Sequence, residues 1–202
     1  MSRAAPLALA LALVPALASA APAQSAAPAK APPAAQQIAA AVLPLPKEFR
    51  DGATVMGYGE DGKLSTLRAG RGDMVCLADD PSAPRFHVAC YHKGLEPFMA
   101  RGRALRASGV TGAQVDSVRF AEIRSGKLAL PRTPSSLYSL TSTEGTFDPA
   151  TGTIAKASPL HVIYIPNATA ETTGLSTTPS EKVAWLMFPG TPKAHIMFTV
   201  GM

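Results

Sequence analysis

Four histidines and two cysteines carry most of the chemistry open to this sequence. His161 and His195 each open an apolar run, at 161–165 and 195–200. If those runs are neighbouring strands, two imidazoles meet at one end of a sheet, as half of a metal site or as a general base with a partner. The plainer reading is a pair of partly buried rings held by backbone carbonyls or by Tyr164. It is favoured because no carboxylate stands within a few residues of either histidine, and ligating or catalytic imidazoles are usually oriented by one. A third ligand would have to come from Asp148, Glu171 or Glu181, all in stretches that read as loops. No metal ion and no cofactor is therefore predicted. His87 and His92 share one run at an odd separation, so a regular strand points them to opposite faces. Without a bulge they cannot hold one ion together.

Cys76 and Cys90 are the only cysteines. They form no CxxC element, and zinc would want further ligands. In an exported chain such a lone pair is most simply structural. The reading is a hairpin, strands at 74–78 and 86–91, closed by a disulfide that stabilises the domain by about 3 kcal/mol on the chain-entropy model. That is a sizeable part of a total of about 5–15 kcal/mol.

Other chemistries are poorly supplied. There is no Gly-x-Ser-x-Gly elbow, and turn or cap chemistry accounts for Ser135, Ser136 and Ser139. Gly57-Tyr58-Gly59 leads into a turn and not into a helix that could bind phosphate. The stretch 93–132 is basic, and Arg101, Arg103 and Arg106 could dock on an anionic envelope surface. A solvated helix face is the favoured alternative. The scarcity of stacking aromatics there argues against nucleic acid as a specific partner.

These residues need elements to position them. A length of 202 residues gives room for one ordinary domain. The charge of +5 and the pI of about 9.4 permit an anionic partner without requiring one. Residues 1–20 read as an export signal: Arg3, a Leu/Ala-rich core at 7–17, and Ala18-Ser19-Ala20 as the cleavage site. The apolar run is too short to span a bilayer as a mature helix, so the mature chain is placed in the periplasm or outside the cell. Residues 21–44 read as an Ala/Pro-rich disordered spacer, in which 36–43 could form two helical turns before Pro44 and Pro46. A single domain then occupies 45–202.

Within that domain, strands are predicted at 53–58 and 64–68 around a Gly59-Glu60-Asp61-Gly62 turn. The two cysteine runs follow, and four short-linked strands imply an antiparallel meander. Between 95 and 108, Leu95, Phe98, Met99, Gly102 and Leu105 form a helical stripe. A second helix is predicted at 113–124, with Gly126 as its stop. Strands return at 137–141, 161–165, 183–188 and 195–200. The fold class is α+β, a mostly antiparallel sheet with one or two helices inserted mid-chain and one structural disulfide.

This order of elements, with the closing Gly190-Thr191-Pro192-Lys193-Ala194-His195-Ile196-Met197 and the Leu160-His161-Val162-Ile163 strand, resembles a family of uncharacterised exported bacterial proteins. The resemblance runs from about Ala53 to the end, and departs from the family where Phe98 and arginines stand in place of tryptophans. It implies a fold and carries no catalytic residues.

The function that follows is a non-enzymatic envelope or extracellular module. The alternative is a metal-assisted or histidine-based hydrolase using His161 and His195. A pocket gathering three or more ionisable groups would count against the first reading, and imidazoles on opposite faces of the sheet would remove the second.

Overall fold

The computed structural model describes residue 1 and residues 30–199. The export signal (apart from its first residue) and residues 21–29 of the spacer thus lie outside the described residues. The first element is a helix, α1 (Ala34–Ala41), entered from Pro32-Pro33. Ala41, Val42 and Leu45 pack into one cluster with Ala53, Val55, Met74, Ala78 and both cysteines. Residues 34–44 therefore belong to the folded body, and the boundary at 45 moves back by about ten residues. Alanine explains the misreading. Each side chain is too small to raise local hydrophobicity, yet a helix of them approaches a sheet closely and loses little side-chain entropy.

Gln37 fastens this helix. Its Oε1 accepts the Tyr58 N–H at 2.8 Å, and its Nε2 donates to the Tyr58 and Pro32 carbonyls at 2.9 and 2.7 Å. Gly57 makes the approach possible, because a Cβ there would stand 2.5 Å from the Gln37 Oε1. A single turn, α2 (Lys47–Arg50), then leads into the sheet.

β1 (Thr54–Tyr58) and β2 (Leu64–Arg68) form the expected hairpin. β3 (Met74–Leu77) departs from the meander: it lies parallel to β1 on the side away from β2. The chain reaches that position by crossing the entrance of β1. Gly72 N–H donates to the Gly52 carbonyl at 2.8 Å, and a Cβ on Gly70 would fall 2.3–2.4 Å from the backbone of residues 52–54. Only a residue without a side chain passes there.

β4 (Phe86–His92) runs antiparallel to β3 with Cys76 directly opposite Cys90, and the two are disulfide-bonded, with Cα atoms 4.0 Å apart. Both are fully buried. The Cys90 Sγ lies 3.1 Å from the Ala41 carbonyl oxygen. A disulfide sulfur has no proton to donate, so α1 caps the bond by packing alone.

After β4 come α3 (Glu96–Ala107) and α4 (Ala113–Arg124), both where the stripe pattern places helices. α3 buries Phe98, Gly102 and Leu105. The chain returns as β5 (Ser135–Ser142) beside β4. A small ribbon follows, β6 (Phe147–Asp148) and β7 (Thr153–Ile154), in what reads as loop. β8 (Ser158–Tyr164) pairs with β5. After a one-turn helix, α5 (Ala170–Thr173), come β9 (Trp185–Met187) and β10 (His195–Thr199). The sheet order is β2-β1-β3-β4-β5-β8-β10-β9, antiparallel except at β1–β3. α1 covers the face bearing the disulfide, while the other carries Tyr91, Leu137, Val162 and Tyr164 against α3 and α4.

Candidate functional site

Alternation along β1, β3 and β4 sends Met56, Tyr58, Leu77, His87 and Ala89 to the face on which α3 packs. Near the end of that helix the packing opens, and these residues line a cleft of about 780 Å³. The last turns of α3 form one wall, with Arg103, Ala104, Arg106 and Ala107. The opposite wall is Leu64 and Lys63 from the β1–β2 turn together with Asp79, Asp80 and Ala83 from the β3–β4 turn. The floor is apolar and the rim charged, the usual make-up of a small-molecule site.

Most of the ionisable groups are held by the scaffold. Asp80 Oδ1 accepts the Ser82 N–H at 2.9 Å and its hydroxyl at 2.7 Å, fixing the turn. Burial, then the Asp80 carboxylate, push the Tyr58 phenol up to about 12, so it stays protonated. Arg103 donates to the Tyr91 hydroxyl at 2.7 Å and to Glu96 at 2.6 Å, while Tyr91 donates to the other Glu96 oxygen at 2.5 Å. Lys63 lies 3.6 Å from Asp61 in an exposed pair.

Asp79 Oδ1 accepts the His87 N–H at 2.7 Å. Partial burial raises its carboxyl above the ordinary range, against that hydrogen bond, and the neighbouring Asp80 adds to the rise. The His87 Nδ1 is 3.0 Å from the Thr141 hydroxyl. His87 as a residue stays open to solvent, but the walls crowd its ring. That desolvation, with Arg85 nearby, lowers its pKa. More than three ionisable groups thus gather here, the arrangement set down above as counting against a non-enzymatic role. Among the described residues, however, no carboxylate hydrogen-bonds the His87 ring to orient it, and its hydroxyl partner Thr141 is not one of the residues that line the cleft.

The two late histidines do not meet. In the β8–β10 pairing His161 stands opposite Phe198, and His195 opposite Tyr164. The three-residue offset is odd, so the rings lie on opposite faces. His161 packs edge-on to Tyr138 with centroids 5.0 Å apart, and burial lowers its pKa. His195 is buried, with Nδ1 2.7 Å from the Lys193 carbonyl and its ring beside those of Tyr164 and Phe188. Burial is the chief cause of its lowered pKa. Beside it, Asp116 binds Arg119 and receives Lys193 at 2.8 Å, joining α4 to the approach of β10. Burial works to raise the Asp116 carboxyl, and the two cations outweigh it and lower it. Among the described residues no three His, Cys, Asp or Glu side chains gather to hold a metal ion, and no helix is long and apolar enough to cross a membrane.

The arginine patch is mostly spent. Arg101 makes a bidentate pair with Glu122 (Nε–Oε2 2.8 Å, Nη2–Oε1 2.5 Å), and Arg103 is held as described. Arg106 alone of the three forms no ion pair among the described residues. The chain matches no family model, no curated protein and no solved structure. Sequence reasoning missed Asp79, Asp80 and Tyr58. The only available signal was the alternation that groups His87 with Ala89 and Tyr91.

Proposed function

We propose that this chain is an exported, non-enzymatic binding module of the periplasm or extracellular space, which receives its ligand in the cleft between α3 and the β1–β3–β4 part of the sheet. One observation carries the reading: an open, apolar-floored cavity of about 780 Å³ whose charged groups are mostly tied into the scaffold, with no carboxylate on the His87 ring to orient it as a base. Preformed clefts of roughly 300–1,000 Å³ take drug-sized molecules, and a rigid rim favours recognition over chemistry. The disulfide supports export, because such bonds persist in oxidising compartments. With Arg101 and Arg103 engaged by carboxylates, the cleft is a better docking place than an anionic envelope surface.

The test uses an environment-sensitive apolar dye, anilinonaphthalene sulfonate. Saturable one-to-one binding that is lost in Ala89→Trp, which fills the floor, with far-UV circular dichroism unchanged, supports the reading. Turnover of chromogenic ester, phosphate or glycoside substrates that disappears in His87→Ala overturns it in favour of an enzyme.

A further inference from the structure

The cations around the cleft are committed elsewhere, and its carboxylates are not. Arg103 is held by Glu96 and Tyr91, and Lys63 pairs with Asp61 in the solvent. Arg106 belongs to the α3 wall, but its guanidinium lies over Gly102 at the α3–α4 crossing. A Cβ on that glycine would stand 3.2 Å from the Arg106 Nη1 and 2.9 Å from the Arg119 Nη1. Arg85, whose charge reaches the His87 ring, is exposed and does not line the cleft. Asp79 and Asp80 do line it, where β3 turns toward β4, and neither forms an ion pair among the described residues. Asp80 spends Oδ1 on the Ser82 N–H and hydroxyl. Asp79 spends Oδ1 on the His87 N–H, and its Oδ2 takes no hydrogen bond from the described residues. Both carboxylates act on the Tyr58 phenol, which sets their charge beside the floor of Met56, Leu77 and Ala89.

An anionic ligand would meet two unneutralised carboxylates. An uncharged one would cover the partly buried Asp79 and leave it without a counter-ion, which is costly. A cation on the free Oδ2 instead gains a charge-assisted hydrogen bond, while an apolar body attached to it covers the floor. Resting on the cleft being a binding site, we infer that it takes an aliphatic primary amine in its ammonium form, with the nitrogen on Asp79 Oδ2 and the chain laid across Met56, Leu77 and Ala89. The like-charged neighbour Asp80 adds to the attraction without having to leave the turn that it fixes.

Isothermal titration of the whole protein with octylammonium, octanol and octanoate at neutral pH tests this. The ammonium binds most tightly, by about tenfold over the alcohol, the scale of one charge-assisted hydrogen bond. Asp79→Asn, which keeps an acceptor for the His87 N–H, brings the ammonium and the alcohol to equal affinity. Glu60→Gln removes an exposed carboxylate of the β1–β2 turn that does not line the cleft, and leaves the preference in place. Tighter binding of octanoate, equal binding of the three, binding of none, or the same loss of preference in both variants overturns the inference. If octanol or the dye still binds in those cases and is lost in Ala89→Trp, the binding-module reading survives; if nothing binds, both fall.

Discussion

Gln37→Ala is the sharpest probe of the fold, because it asks whether a segment that reads as linker belongs to the domain. The side chain is only 5% exposed and makes three hydrogen bonds of 2.7–2.9 Å to backbone groups. Two of them satisfy the N–H and carbonyl of Tyr58, in effect extending β1 by a side-chain amide. Each such bond contributes about 0.5–1.5 kcal/mol net, and a backbone group left partly buried without a partner costs about 1–3 kcal/mol. Water reaches this end of the helix in part, and alanine regains a few tenths of a kcal/mol in helix propensity. The expected loss is about 2–3 kcal/mol. At a urea m-value of ~2 kcal/mol/M, the midpoint falls by about 1–1.5 M. Trp185, the only tryptophan, reports unfolding by fluorescence, and Gln36→Ala is the control, expected within about 0.5 kcal/mol of the parent. If the two variants unfold together, α1 is not fastened to β1 as described.

Two further outcomes follow from the same structure. Cys76→Ala with Cys90→Ala opens a loop spanning a sequence separation of 14 and is expected to cost about 3 kcal/mol by chain entropy; urea unfolding that shifts by less than about 1 kcal/mol would refute a stabilising role. The second concerns pH. Burial lowers the pKa of His195 in the folded chain, so the unfolded chain takes up a proton more readily. That contribution to stability is complete above the unfolded value of about 6.5 and is lost as pH falls from there through the folded value. Urea midpoints between pH 8 and pH 5 should therefore decline, less steeply in His195→Gln. An unchanged slope in that variant would contradict the assignment.

What was legible in the sequence was whatever depends on local period. The α3 stripe is inward at Phe98, Gly102 and Leu105 as read, and the cysteine strands pair with Cys76 facing Cys90. The assignment of His87 and His92 to opposite faces rested on the same two-residue alternation. Local period fails where small residues do the packing, which is why α1 read as spacer. It fails also in the stretch 142–158, where strands of two residues are too short to show any period.

The candidate site was hidden for a different reason. Its floor joins Met56 of β1, Leu77 of β3 and His87 of β4, and that juxtaposition exists only because β3 lies beside β1 and not beside β2. In the meander implied by four short-linked strands, β2 would separate β1 from β3, and Tyr58 would stand a full strand farther from Asp80. The rearrangement turns on Gly70, whose missing Cβ lets the chain cross within contact of residues 52–54. A glycine between strands reads equally well as a plain turn. The late histidines misled in the opposite sense: each reads as opening an apolar strand, although His161 lies mid-way along β8, and that likeness invited a pairing which the three-residue offset between their registers forbids. Strand order and register are long-range quantities fixed by packing, so a site assembled across three strands becomes visible only once the sheet is built.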